Sequence, residues 1–273
     1  MLPCLRNNQE YACGHVRKEV KMLFLSDLDR TLIFSYKRLT EDNVCVEEKE
    51  GKKLSFMTPV SAKLLCEISE KVKFIPVTTR SLEQFERIKF PSGIPRLAVC
   101  DNGGNLLING VPDPVWRKRA EEHILPAMAE MERIKSYWES LEDVYFEVRL
   151  VDGTFIFTKS HTPLETLRLT LEKLCPEETD LFDNGDKIYA VPKGINKGAA
   201  LQWLRERFGE EIIAAGDSLF DREMLQKSDI AIIKQGELTG EKLCVSQYSE
   251  SGDDPDYTLL TVKKILEERG IIC

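Results

Sequence analysis

The sequence has no cysteine pair at the CxxC spacing, and no apolar run approaches the ~20 residues of a membrane-spanning helix. Its eight cysteines are scattered along 273 residues, so neither a zinc site nor a disulfide framework is expected. The three histidines have no metal-ligand partners at a matching spacing. The first residues lack the apolar stretch of a signal peptide, so we expect a cytoplasmic protein that does not bind membranes.

The sequence also lacks an excess of positive charge. It has 38 Lys and Arg and 46 Asp and Glu, which gives a formal net charge of -8. An acidic surface repels a phosphate backbone, so nucleic acid is not an expected partner. An anionic substrate would need local help from a metal ion or from placed Arg and Lys side chains. The apolar fraction of 42% is enough for a folded core.

Apolar runs and helix signals alternate in two parts of the chain, which predicts a parallel α/β sheet with helices on both faces. The run KMLFLSD predicts a buried strand that ends in an acidic residue. Thr58-Pro59, Ser81 and Asn196 predict helix starts. The mixed segment at 35–57, with EEKEGKK near its centre, is either a small hairpin or a solvated loop, and we interpret EEKEGKK itself as a solvated turn.

A different pattern follows, in which helix signals alternate with two hairpins. Asp152-Gly153 lies between two apolar runs, which is a strong hairpin signal, and Asn184-Gly185 predicts a second turn. We therefore predict three units: a loose N-terminal extension at 1–20, a core at 21–111 and 191–273, and an inserted α+β domain at 112–190.

Two apolar strands end in pairs of acidic residues, Asp27 with Asp29 and Asp217 with Asp221. Ligands of open α/β sheets bind beyond the carboxyl ends of the strands, so both pairs point at one region. Four carboxylates in one place repel each other unless a cation lies among them, and hard oxygen ligands select Mg²⁺. We therefore predict that these four residues hold Mg²⁺. Residues 27 and 29 share one side of an extended chain, so one can attack as a nucleophile while the other handles a proton.

Four short motifs occur in the order found in the haloacid dehalogenase (HAD) superfamily. SDLDRTL resembles the first motif, DxDxT, and PVTTRS is similar to the second. NKGAAL resembles the third motif and GDSLFDREML the fourth. The insert lies between the second and third motifs, and its pattern resembles the C2B cap of sucrose-phosphate and mannosyl-3-phosphoglycerate phosphatases. The resemblance covers roughly residues 20–270 and implies a Rossmann-like parallel sheet with a C2B-type cap.

The resemblance implies a Mg²⁺-dependent phosphatase that acts on a small phosphorylated metabolite, a sugar phosphate, through an aspartyl-phosphate on Asp27. Asp29 would protonate the leaving group and later activate water. The Thr78 hydroxyl would hold the phosphoryl group, and Lys197 would neutralise nucleophile and phosphate.

Four further residues are candidates for substrate binding: Arg80, Asn102, Gly103 and Arg149. Asn102 and Gly103 form a turn that resembles the Asn-Gly turn common after the third strand of the family. Arg80 is either a surface charge at a helix start or a substrate contact. Arg149, in the first hairpin of the insert, faces either the site or the solvent.

Two positions depart from the family pattern, and two other functions share its motifs. Arg30 stands where Gly or Asn is common, and Phe220 stands where the subclass often has Asn. A phosphotransferase of the phosphomannomutase kind would use the same residues, as would a non-catalytic phosphate-binding module. The complete carboxylate set argues against the binding module. The substrate and the oligomeric state stay open.

Overall fold

The computed structural model describes residues 22–35, 42–233, 238, 246–249 and 254–272, so the predicted extension at 1–20 lies outside the described residues. The strands are β1 Met22–Ser26, β2 Phe34–Ser35, β3 Val44–Lys49, β4 Lys52–Met57, β5 Lys73–Pro76, β6 Leu97–Cys100, β7 Asn105–Ile108, β8 Val111–Pro112, β9 Arg149–Val151, β10 Phe155–Lys159, β11 Thr179–Asn184, β12 Lys187–Pro192, β13 Glu211–Gly216, β14 Ile230–Ile233 and β15 Ser246–Ser249. The helices are α1 Pro59–Ser69, α2 Leu82–Glu86, α3 Pro114–Glu139, α4 Pro163–Leu174, α5 Lys197–Phe208, α6 Arg222–Lys227 and α7 Tyr257–Glu268. Within these ranges, no helix has both the length and the apolar character needed to span a membrane.

A parallel sheet of five strands forms the centre of the protein, in the order β15-β14-β13-β1-β5. Strand β1 lies between β13 and β5, with Ser26 opposite both Ala215 and Pro76. Strand β6 extends the sheet through one parallel bridge between Val77 and Val99. The predicted parallel core is therefore confirmed.

Helices cover both faces of this sheet. Phe24 packs in a buried cluster with residues of α1 and α7, whereas Leu25 packs in a second cluster with residues of α5 and α6. A strand that is buried on both faces needs apolar residues at every position, which explains the unbroken run MLFL. The prediction of helices on both faces is confirmed.

Local signals set the helix starts as the sequence predicts. The Thr58 hydroxyl accepts a backbone N–H in the first turn of α1. Ser81 and Gln84 form a reciprocal capping box at α2. The Asn196 side chain accepts the backbone N–H of Ala199 at the start of α5. Each helix therefore begins where its own side chains satisfy the free N–H groups.

A second sheet is antiparallel, in the order β11-β12-β10-β9. One of its faces packs against α3 and α4, where Ile188 lies in one cluster with Trp138. The next residue with a side chain on the opposite face is Tyr189. Asp152 and Gly153 have φ values of 43° and 66°, so they form the tight turn that an Asp-Gly pair predicts. The inserted α+β cap is therefore present in the fold.

Helix α3 packs against the core with one end and against the second sheet with the other. The ring of Trp116, in its first turn, lies 5.7 Å from that of Trp203 in the core. Trp138, near its end, is buried under the second sheet. Because one helix packs on both units, the limits 112–190 of the inserted domain stay a prediction.

The mixed segment after β2 is a hairpin of β3 and β4, to which β2 adds an edge. The hairpin alternative is thus confirmed. The interpretation of EEKEGKK as a solvated turn holds for Glu50 and Gly51, which connect the strands in the exposed turn. It is wrong for Glu47, which is only 3% exposed, because an irregular pairing of the two strands directs this side chain inward.

We predict that Trp138→Ala destabilises the protein strongly. The Trp138 side chain is fully buried, and its Nε1–H donates to Thr170 Oγ1 at 2.9 Å. The cavity and the lost hydrogen bond should lower the free energy of unfolding by about 3–5 kcal/mol. Urea denaturation followed by circular dichroism measures this change. Leu164→Ala, at a side chain that is 71% exposed, is the control and should cost less than about 0.5 kcal/mol. Equal losses in the two variants would contradict the packing described for α3.

Candidate active site

Three buried carboxylates meet at the carboxyl ends of β1 and β13. Asp27 follows β1, and its backbone N–H donates to the carbonyl of Ala215 at 2.9 Å. Asp217 follows β13, and Asp221 lies in the short turn after it. One oxygen atom from each of these three aspartates lies within 4.8 Å of the others. The parallel pairing of the two strands is what brings residues so far apart in sequence to one edge.

Lys197 connects two of these carboxylates. Its Nζ donates to Asp27 Oδ1 at 2.5 Å and to Asp221 Oδ1 at 2.6 Å, and the side chain is 1% exposed. Burial by itself lowers the pKa of Lys197, but the charges of Asp221 and Asp27 outweigh burial and raise it. The ammonium group is therefore charged, and removal of any partner would leave a buried charge uncompensated.

The second oxygen of Asp221 organises the turn that follows β13. Asp221 Oδ2 accepts the backbone N–H groups of Asp217 and Ser218 at 3.1 and 3.0 Å, and also the Ser218 hydroxyl at 3.0 Å. A Cβ at Gly216 would lie 2.4 Å from Asp221 Cβ, so this close approach requires glycine. Asp221 thus shapes the turn and also binds Lys197.

The charge of this group is only partly compensated. Burial is the largest cause that raises the pKa of Asp27. Burial and the neighbouring Asp221 raise the pKa of Asp217 to about 6, against the opposing charge of Arg30. Asp217 Oδ2 is buried and accepts no hydrogen bond, and its ionic neighbour is Arg30 Nε at 3.2 Å. An oxygen-only cluster with an unsatisfied buried carboxylate oxygen fits a divalent cation such as Mg²⁺.

Asp29 lies outside this carboxylate group. Its Oδ2 and Oδ1 accept hydrogen bonds from Arg80 Nε and Nη2 at 2.7 and 2.8 Å. The Asp29 side chain is 51% exposed and lines a cleft. Burial of part of the group works to raise the pKa of Asp29, but the hydrogen bonds and charge of Arg80 lower it. A metal-ligand role for this carboxylate is not supported by the arrangement, because both of its oxygens are already held by Arg80.

The backbone at Arg30 explains the residue types that the family pattern favours at this position. Its φ of 66° lies in the left-handed region, which favours the Gly or Asn that are common there. The Arg30 N–H donates to the carbonyl of Ile33 at 2.8 Å, which closes the turn after the strand. The arginine side chain adds a half-exposed cation beside Asp217.

Thr78 and Thr79 follow β5 at the same edge of the sheet. Thr78 is fully buried, and its hydroxyl accepts the backbone N–H of Arg80 at 3.2 Å. Thr79 is half-buried and lines the cleft. The parallel pairing of β1 with β5 puts Thr78 at the edge that carries Asp27.

Asn102 and Gly103 lie beneath the segment that leads to Lys197. Asn102 Nδ2 donates to the carbonyl of Ile195 at 3.2 Å. A Cβ at Gly103 would lie 2.6 Å from the carbonyl oxygen of Asn196. Both residues are buried and are not among those that line the cleft. They support the position of Lys197, and their predicted contact with substrate stays a prediction.

A cleft of about 620 Å³ lies between Asp29, the β3–β4 hairpin and the second sheet, and this volume suits a small-molecule ligand. The core contributes Asp29, Thr79 and Arg80 to its walls. The second sheet contributes two cations and three aromatic rings: Arg149, Lys187, Phe155, Phe157 and Tyr189.

Arg149 is held at the wall of the cleft by two residues that precede it in the chain. Arg149 forms an ion pair with Glu147, and its guanidinium lies 4.6 Å from the centre of the Phe146 ring. The Arg149 side chain therefore lines the cleft while it is paired with the exposed Glu147. Sequence reasoning missed Lys187 and Tyr189. Side chains alternate between the two faces of a strand, so the run DKIYAV puts Lys187 and Tyr189 on the same face. The sequence could therefore pair these two residues, but only the structure shows that their face lines the cleft.

Phe220 connects the turn of Asp217 and Asp221 to the second sheet. Its ring lies 4.9 Å from that of Tyr189 and 5.1 Å from that of Phe182. Phe220 is 6% exposed, so this departure from the family pattern fills an aromatic contact between the two sheets.

A protein-family model described as sucrose-6F-phosphate phosphohydrolase matches residues 20–259 of the chain. No curated protein sequence matches this chain.

Solved structures of phosphatases share the fold. The sucrose-phosphatase of Synechocystis sp., in complex with sucrose and phosphate, has 16% identity and a TM-score of 0.65, over 90% of this chain and 98% of that one. The C-terminal domain of trehalose-6-phosphate phosphatase from C. albicans has 12% identity and a TM-score of 0.59, over 90% and 92%. A HAD phosphatase of Bacteroides thetaiotaomicron has 13% identity and a TM-score of 0.56, over 96% and 100%.

We predict that Mg²⁺ stabilises the protein more at neutral than at acidic pH. When folding raises the pKa of a carboxyl group, the folded protein keeps that proton at pH values at which the unfolded chain has already lost it. The metal-free folded state therefore loses stability as the pH rises through about 6, the pKa of Asp217. Mg²⁺ at about 100 times its dissociation constant should add about 2.7 kcal/mol once the carboxylates are ionised. Thermal unfolding with MgCl₂ and with EDTA, at about pH 7.5 and about pH 5, measures the difference.

Asp217→Asn tests the assignment of this effect to the site. It removes one ionisable oxygen at nearly constant volume, so the Mg²⁺-dependent shift should disappear at both pH values. A shift that survives in this variant would mean that the ion binds elsewhere.

Proposed function

Because the chain belongs to the sucrose-6F-phosphate phosphohydrolase family of HAD-type phosphatases, we propose that it hydrolyses a phosphorylated sugar at Asp27. The phosphomonoester would enter the cleft with its phosphate at the carboxyl ends of β1 and β13. The inserted domain at 112–190 would act as the cap over it.

The observation that carries this proposal is the buried bridge of Lys197 between Asp27 and Asp221. An ammonium group that is 1% exposed and has two carboxylate partners is costly to bury for structural purposes alone. The same group can neutralise both a carboxylate nucleophile and an incoming phosphate dianion. Its place beside the unsatisfied oxygen of Asp217 supports a site that is built for an anion together with a cation.

Asp27 would attack the phosphorus in line with the leaving oxygen and form an aspartyl-phosphate. Lys197 holds one oxygen of Asp27 at 2.5 Å, which fixes the direction of the other oxygen. Bound Mg²⁺ would supply positive charge to the phosphate and would keep the aspartates ionised. The Thr78 hydroxyl, at the same edge, would hold the phosphoryl oxygens while the ester bond breaks.

Asp29 would transfer the protons, because its carboxyl group lies in the cleft and outside the metal cluster. It would protonate the leaving oxygen of the sugar and then take a proton from the water that cleaves the aspartyl-phosphate. Arg80 favours the ionised carboxylate, which is the form that the second step requires. In the first step, one Asp29 oxygen would carry the proton to the leaving oxygen while the other would stay hydrogen-bonded to Arg80.

The cleft supports a small polar substrate with an apolar face. Phe157 and Tyr189 present stacked rings, with centroids 5.9 Å apart, that suit the C–H face of a sugar. Lys187 and Arg149 would donate hydrogen bonds to its hydroxyl groups. Solved phosphatases of this fold act, by their names, on sucrose phosphate and trehalose phosphate, which guides the choice of substrates for the assay.

We predict Mg²⁺-dependent phosphate release that Asp27→Asn abolishes. The asparagine has almost the volume of the aspartate but cannot form the covalent intermediate, so turnover should fall by at least about 10³-fold. A panel of sucrose, trehalose, glucose and mannose phosphates, assayed for free phosphate with MgCl₂ and with EDTA, measures it. Asp180→Asn, at an exposed residue of the second sheet, is the control and should keep full activity.

The outcomes separate the three candidate functions. Metal-dependent release that is lost only in Asp27→Asn would support the hydrolase. Transfer between sugar hydroxyls that requires a bisphosphate activator, with little free phosphate, would mark a phosphotransferase instead. Phosphate binding with no turnover of any compound by the folded protein would contradict an enzymatic role.

A further inference from the structure

The β3–β4 hairpin carries a buried carboxylate that the mechanism above does not use. Glu47 is 3% exposed although it begins the charged run EEKEGKK. Buried glutamates are rare unless they are paired, so this side chain must have partners that repay the loss of water.

The backbone of the hairpin is shaped to turn Glu47 inward. The pairing of β3 with β4 shifts register on both sides of Glu47, between it and Cys45 and between it and Glu48. The chain after α2 also pairs with β3 here, through a bridge at Ile88 and a hydrogen bond from Lys89 N–H to the carbonyl of Val46 at 2.7 Å. Such bulges redirect single side chains and are frequent near active sites.

Three donors satisfy the Glu47 carboxylate. Ser55 Oγ donates to its Oε2 at 2.6 Å, and Arg80 Nη1 donates to the same oxygen at 2.8 Å. Arg87 donates to Oε1 through Nε at 3.3 Å and Nη2 at 3.1 Å. Burial works to raise the pKa of Glu47, but the bonds from Ser55 and Arg80 outweigh it and lower the pKa.

Arg80 is therefore held between two carboxylates. Its Nε and Nη2 donate hydrogen bonds to the two oxygens of Asp29, and its Nη1 donates to Glu47 on the other side. Arg80 Nη2 also donates to Ser55 Oγ at 3.2 Å. Every nitrogen of the guanidinium has a partner, and the side chain is 13% exposed. The planar guanidinium thus transmits the position of the hairpin to Asp29.

We infer that Glu47 is a positioning residue, which anchors Arg80 so that Arg80 fixes the carboxyl group of Asp29 for proton transfer to the leaving group. This inference rests on the proposed function of Asp29. Glu47 itself contacts neither the cleft's aspartate nor the metal cluster. Glu47 also borders the cleft, and it is linked to Asp29 through the guanidinium of Arg80.

The consequence of losing this anchor follows from the flexibility of arginine. An arginine side chain loses rotamer entropy when it is ordered, and Glu47 holds the Nη1 end of Arg80, which Asp29 does not contact. Without it, Arg80 and Asp29 would move together, and the carboxyl group would be misplaced for the leaving oxygen. A misplacement of about 1 Å can cost about 100-fold in rate.

Glu47→Gln should lower kcat/KM for a sugar phosphate by about 10- to 100-fold. The same variant should lower kcat/KM for p-nitrophenyl phosphate by less than about threefold, because that leaving group departs without a proton from Asp29. A loss that is equal for both substrates would overturn the inference, since a general distortion of the site would affect both.

A double-mutant cycle with Arg80→Gln shows whether Glu47 acts through Arg80. In the Arg80→Gln background, Glu47→Gln should change kcat/KM for the sugar phosphate by less than about twofold. Independent effects that multiply in the double variant would overturn the inference. If wild type releases no phosphate from either substrate, the proposed function fails first, and the role assigned to Glu47 fails with it.

Glu130→Gln is the matched control, because Glu130 is another buried glutamate, 5% exposed. Its oxygens accept the backbone N–H groups of Glu177 and Glu178 and the Thr179 hydroxyl. Glu130→Gln should lower the melting temperature without changing the ratio between the two substrates. If Glu47→Gln does not fold, Ser55→Ala removes the hydroxyl shared by Glu47 and Arg80 without burying a charge. Ser55→Ala should then lower kcat/KM for the sugar phosphate selectively, and an unchanged ratio would overturn the inference.

Discussion

The buried ammonium group of Lys197 is the interaction on which the rest of the site depends. It lies between Asp27 and Asp221, and these residues come from three separate places in the sequence. Three aspartates whose oxygens lie within 4.8 Å of each other would be unstable without a cation. The fold supports this group from below, because Asn102 and Gly103 hold the segment that leads to Lys197. The phosphatase chemistry of the family thus begins with a charge balance that the sheet topology makes possible.

Two accessory elements connect the chemistry to the rest of the molecule. The β3–β4 hairpin contributes Glu47, which reaches Asp29 through Arg80. The second sheet contributes Tyr189, which contacts the turn of Asp217 and Asp221 through Phe220. Each contact joins a carboxylate-bearing segment at the sheet edge to an element that lines the cleft. The cleft and the carboxylates are therefore parts of one packed structure rather than separate features.

Much of the fold could be predicted because its signals are local. The helix starts at Thr58, Ser81 and Asn196 follow from side chains that bond N–H groups within three residues. The turn at Asp152 and Gly153 follows from backbone conformations that few residues adopt. The inward position of Glu47 could not be predicted, because a bulge in one strand and the pairing of another segment decide it. The burial of Arg80 could not be predicted either, because its carboxylate partners lie 33 and 51 residues away in the chain.

The sequence by itself determined the family, the parallel core with an inserted cap, and the acidic residues at the strand ends, because short motifs and hydrophobic periodicity are carried by neighbouring residues. Tertiary structure alone decided which carboxylates share Lys197, that Asp29 faces Arg80 rather than the cluster, and that Lys187 and Tyr189 line the cleft. These outcomes depend on distances between elements that are far apart in the chain. Electrostatic interactions and burial act through space, so only the packed arrangement of sheets and hairpin specifies them.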